Sequence, residues 1–131
     1  MITFGSWIRA VHRISAHLMV IVVALHLMRV FLTGAYKNGV GRGQQREINW
    51  VIGVVMFLTT LFLSFTGYLL PWDQLAQFVV TASFDWLDWL PSFGGALMRN
   101  FIYPASVSDR FFSLLVFIHI GVPLLTLLLM W

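Results

Sequence analysis

Apolar residues in this chain neither alternate at the period of a strand nor confine themselves to one face of a helix. They come in three long runs. Ile48 to Leu70 (INWVIGVVMFLTTLFLSFTGYLL) and Phe111 to Trp131 (FFSLLVFIHIGVPLLTLLLMW) carry no charge. Trp7 to Thr33 is interrupted by Arg9, His12, Arg13, His17, His26 and Arg29, yet Leu18 to Leu25 is wholly apolar. Its arginines stand near its ends, where long side chains reach the membrane surface. About 20 such residues cross a hydrocarbon core as a helix. The pattern predicts an all-α transmembrane helical bundle with spans over about 7–33, 48–70 and 110–131. These make one membrane domain covering 1–131, with no internal repeat.

The polar positions fall in the connections, and the connections differ in sign. Gly34 to Glu47 is short and glycine-rich, with Lys37, Arg42 and Arg46 against Glu47, a net charge of +2. Pro71 to Asp109 is long, with Asp73, Asp85, Asp88 and Asp109 against Arg99, a net charge of −3. Basic loops stay in the cytoplasm, so loop 34–47 is expected inside, with the N-terminus and loop 71–109 outside. Within the long loop, Gln74 to Leu90 is amphipathic, with Trp86 and Trp89, and fits short helices lying at the interface.

Composition adds exclusions. Charged residues make up 10% of the chain and apolar residues 60%, whereas a soluble domain carries roughly a quarter charged. A soluble monomer and a disordered chain are both excluded. There is no cysteine, which removes disulfides, iron–sulfur clusters, thiolate zinc sites and thioether-linked haem. The net charge of +3 forms no basic face, so it speaks for membrane orientation and against nucleic acid. No cleavable signal peptide is visible. The third run, counted from Arg110, reaches about 33 Å as a helix and ends without a basic anchor, so the chain is expected to be incomplete at its C-terminus.

The histidines carry the candidate chemistry. His12 and His26 stand on one predicted helix, within about 40° of the same face and about 21 Å apart along the axis. Each could serve a different cofactor, one near each membrane surface. His17 lies off that face and is expected to bond within its surroundings or meet the interface. His119 is mid-span among Phe117, Ile118 and Ile120; an imidazole there is costly unless paired or ligated.

Arginines stand one turn outward from the histidine pair, Arg9 before His12 and Arg29 after His26. A haem held by either histidine would turn its propionates toward the membrane surface, within reach of such an arginine; snorkelling anchors are the plainer alternative. The second run holds Gly53 and Gly67 at the same spacing as the histidines. A glycine lets a flat macrocycle lie against the backbone, and equally lets two helices approach.

With these residues in place, the chain resembles the N-terminal half of the cytochrome b family, the membrane core of Rieske/cytochrome b complexes. The matching runs are GSWIRAVHRISAHLMVIVVALHLMRVFLTGAY (5–36), REINWVIGVVMFLTTLFLSFTGYLLPWDQ (46–74) and DRFFSLLVFIHIGVPLLTLL (109–128). The VHR and PWDQ forms look closer to the split cytochrome b of bf complexes and its bacterial relatives than to the mitochondrial type. The resemblance implies two b haems stacked across the membrane. His12 would ligate the outer one with His119 as its partner, and His26 the inner one. Arg9 and Arg29, with Arg13 as a weaker third, would bind propionates. Gly53 would pack on the inner haem and Gly67 on the outer.

The resemblance also implies quinol oxidation near the external end of the second span, with Tyr68, Pro71, Trp72 and Asp73 as quinone-site candidates. The expected partners are the second half of cytochrome b and Rieske-type or c-type cytochrome subunits, in a bacterial inner membrane. There are departures. The family's earlier helix has no counterpart, and its fourth ligand lies beyond Trp131, so the inner haem lacks its second ligand here. Counted from Arg110 the third ligand falls on Leu115; counted back from Pro123 it falls on His119, and only histidine can ligate. The expected function is electron transport between quinol and quinone sites by a subunit not catalytic alone. The alternatives are a haem-free scaffold and a cytochrome b anchor of a dehydrogenase.

Overall fold

A computed structural model describes residues 3–37, 45–92, 95–96, 99–100 and 109–130. The middle of the basic connection, most of the stretch from 93 to 108, and Trp131 lie outside the described residues. The helices are α1 (Phe4–Leu32), α2 (Gln45–Leu69), α3 (Gln74–Asp88) and α4 (Asp109–Met130), and no strand occurs among the described residues. Three of them, α1, α2 and the Phe111–Leu128 stretch of α4, are long and apolar enough to cross a membrane. Each begins and ends within a few residues of the run that predicts it. The amphipathic Gln74 stretch forms α3.

Satisfied backbone and hydroxyl groups explain why these runs become helices. In hydrocarbon every N–H and C=O needs an internal partner, which a helix supplies. The threonines follow the same rule: the hydroxyls of Thr59, Thr60 and Thr126 donate to the carbonyls of Val55, Met56 and Val122 one turn back. At the end of α1 the stop is a Schellman turn. Gly34 takes φ 64°, its N–H donates to the Phe31 carbonyl, and Ala35 N–H donates to that of Val30. A left-handed residue is needed there, and glycine adopts it without strain.

The chain groups into two compact units, 1–62 and 63–131. In the first, α1 has no buried residue. The face of α2 meets it through Gly53, where an added Cβ would lie 3.6 Å from Leu27 Cδ2. Phe31, Tyr36 and Trp50 close the unit with ring centroids 5.2 to 6.3 Å apart. The Trp50 indole N–H is buried with no hydrogen-bond partner among the described residues.

In the second unit Leu69, Ala76, Val80, Phe111 and Leu115 form a core, with Trp72 and Phe84 against it. The hinge of this unit is Trp72, at φ 51°, a conformation costly for a bulky side chain. Its ring is held edge-on by Phe111 and Phe112 at 5.7 and 5.0 Å, which offsets the strain. Asp73 then caps α3, its Oδ1 accepting from Ala76 N–H at 2.7 Å. α3 is three-sided. Ala76 and Val80 face the core, Leu75, Phe78 and Trp86 are exposed, and Gln74, Gln77 and Asp85 are exposed on the polar side. A helix with protein, apolar and water-facing sides suits the membrane interface.

Candidate functional site

The residues singled out by the sequence fall into both units. In the first, His12 and His26 lie on α1 with exposed side chains, as do Arg9, Arg13 and Arg29. α1 contains no Asp or Glu, so the three arginines have no carboxylate on their own helix. Arg29 sits in the last turn, where the helix dipole favours a cation. Arg9, in the second turn, has no such support. His17 spends its Nδ1 locally, donating to the Arg13 carbonyl at 2.6 Å, in keeping with a residue off the shared face.

The second unit holds the most defined geometry. Leu115, the position reached by counting from Arg110, is buried in the core. His119, one turn further along the same face of α4, lies against α2 instead. Its Nδ1 is 3.1 Å from the Thr66 hydroxyl. Its ring also lies against Gly67, Cε1 nearest: a Cβ added there would meet Cε1 at 2.6 Å, Nε2 at 3.2 Å and Nδ1 at 3.3 Å. Glycine at 67 is therefore the condition for this seat, and the ring itself occupies the space that glycine leaves. Pro123 lies inside α4; with no N–H to give the carbonyl four residues back, it breaks the helical ladder at His119.

The quinone-site candidates border this seat in sequence. Tyr68 is exposed and so is Pro71. Trp72 and Asp73 both have structural duties, the strained turn and the α3 cap. Thr66, at 2% exposure the buried polar residue of the described set, was not among the expected site residues. A helical threonine beside a glycine carries no local signal of a distant histidine.

The donor chemistry fits a haem. Among the described residues no group of three His, Cys, Asp or Glu side chains could hold a bare metal ion. A haem iron, already ringed by porphyrin nitrogens, asks the protein only for axial ligands such as imidazole. His119 offers one such imidazole from a fixed seat, and α1 offers two on an exposed face.

Known proteins point the same way. The family described as Cytochrome b(N-terminal)/b6/petB matches residues 17–131. The chain is 36% identical over 121 residues to a menaquinol:cytochrome c reductase cytochrome b subunit of Geobacillus thermodenitrificans, covering 88% of this chain and 51% of that protein. It is 38% identical over 133 aligned residues to cytochrome b6 of Chlamydomonas reinhardtii, covering 98% of this chain and 58% of that protein. The chain thus spans a little over half the length of these relatives.

Proposed function

The chain belongs to the N-terminal cytochrome b/b6 family, and from that membership and the seat of His119 we propose a haem-binding membrane subunit that carries electrons between quinol and quinone sites on opposite sides of a membrane. The observation that carries the reading is the mid-span imidazole of His119, held through Nδ1 and pressed on Gly67. Fixing a histidine through Nδ1 is how proteins commonly hold a metal-ligating imidazole, with the other ring nitrogen left for the metal.

His119 and His12 would hold the outer haem, and His26 would contribute to holding the inner one. When bound, the haems supply one-electron redox couples; the protein sets their ligation, burial and charge. Arg9 and Arg29, with Arg13 in support, offer planar forks to propionates. Gly53 would leave room on α2 beside the inner haem, and Gly67 lets the His119 ring approach α2 beside the outer one. Tyr68, Pro71, Trp72 and Asp73 border the outer quinol site, where the Trp72 turn and the Asp73 cap fix the backbone and Tyr68 offers a hydroxyl. The basic 34–47 connection is cytoplasmic, and α3 lies on the external surface of a bacterial inner membrane. The partners are the remaining half of cytochrome b, a Rieske-type protein and a c-type cytochrome.

A reduced-minus-oxidised visible spectrum of the purified protein tests this. A b-type α-band is expected, and its absence would leave a haem-free scaffold. Co-purification with a dehydrogenase in place of Rieske-type or c-type subunits would assign the chain to a dehydrogenase anchor.

A further inference from the structure

Resting on the haem reading above, we infer that Thr66 is a positioning residue for His119: its hydroxyl fixes the tautomer and the ring plane of that ligand, and so tunes the iron that His119 holds. The Thr66 Oγ1 lies 3.0 Å from the Leu63 carbonyl oxygen and 3.1 Å from His119 Nδ1. A carbonyl can only accept, so the single hydroxyl hydrogen goes to Leu63 and the oxygen lone pairs face the ring. Nδ1 then carries the ring hydrogen and donates it to Oγ1. A neutral imidazole has one N–H, so Nε2 keeps the lone pair with which a histidine binds a metal.

Threonine suits this task. Its β-branch restricts χ1, and in a helix its oxygen turns to a carbonyl one turn back. The direction of the acceptor is therefore set by α2 alone, before the histidine is bound. Gly67, the next residue, removes slack on the same side, since even a methyl group there would stand 2.6 Å from Cε1. One residue holds the ring by a hydrogen bond and its neighbour by shape. Thr66 is 2% exposed, so its hydroxyl meets the ring away from bulk water, where a hydrogen bond counts for more.

The electronic consequence has a definite sign. A ligand histidine that donates its outer N–H becomes more basic. A more basic ligand stabilises ferric over ferrous iron and lowers the potential. Removing the acceptor therefore raises the potential of the haem bound to His119 and leaves the other haem unchanged.

The test is made on the complex isolated from membranes, comparing the wild type with Thr66→Val and Thr66→Ser. Potentiometric titration reads the potentials, and low-spin ferric EPR reads the angle between imidazole planes. Thr66→Val, the same shape without the oxygen, is expected to raise one haem potential and move that haem's EPR signal, whereas Thr66→Ser keeps both at the wild-type position. Unchanged potential and EPR in the valine variant would overturn the inference, as would a serine variant displaced as far as the valine one. If the valine variant fails to take up that haem, uptake by the serine variant supports the hydroxyl's role and failure of both overturns it in favour of a purely packing role. A wild-type complex without b haem refutes the underlying reading itself, a result distinct from all of these.

Discussion

At the scale of single residues, two pairs of substitutions separate ligand-holding roles from packing roles. The first pair is glycine. At Gly67 an alanine methyl would displace the His119 ring, whose Cε1 is 2.6 Å away; Gly67→Ala is expected to lose or spectrally shift the haem that His119 holds. At Gly53 the nearest atom is the end of a flexible leucine at 3.6 Å, an ordinary contact, so protein packing alone tolerates alanine. Loss of the inner haem in Gly53→Ala, read in the difference spectrum, would then report the macrocycle itself against α2. The second pair is arginine. A propionate partner helps reduction, because reduction adds negative charge beside a cation. Arg9→Gln is expected to lower the outer potential and Arg29→Gln the inner one, with lysine a poor substitute in either place. Redox titration checks this; unchanged potentials in both variants would return the arginines to membrane anchoring. Arg29 has a second occupation at the helix C-terminus, so Arg29→Gln should also cost a fraction of a kcal/mol in helix stability, where Arg9→Gln should not.

At the scale of elements, the three spans were legible because a membrane helix is written as one uninterrupted apolar run, a signal that needs no knowledge of neighbours. α3 was legible from its amphipathic stretch, and the aspartate three residues before Ala76 is an ordinary cap signature. Trp72 was not legible as a left-handed residue, since tryptophan has no preference for that conformation; it is held there by Phe111 and Phe112, which lie far along the chain. Thr66 was illegible for the same reason. Its partner His119 is 53 positions away, and no periodicity encodes that pairing. Leu115, one turn before His119, takes a core position. Removing the α3 cap by Asp73→Ala is expected to cost about 1 kcal/mol, with Asn a near-complete replacement. Thermal unfolding in detergent, followed by circular dichroism, measures it. A loss confined to quinol turnover, with unfolding unchanged, would instead assign Asp73 to the quinone site.

At the scale of the whole molecule, large apolar side chains stand exposed along all three candidate spans, as suits contact with lipid. His12 and His26 are both exposed on α1. The charge difference between the connections predicts the orientation: a reporter at the basic 34–47 connection should react only from the cytoplasmic side, and one at Asp85 only from outside. The opposite labelling would invert the outer and inner assignments. The central claim is that His12 and His119 hold one haem and His26 helps to hold another. The most direct measurement is a redox-resolved difference spectrum of the isolated complex with His12→Leu, His119→Leu and His26→Leu. The account predicts that the first two variants lose the same b component and that the third loses the other. Loss of different components in His12→Leu and His119→Leu, or a full spectrum in either, would contradict it.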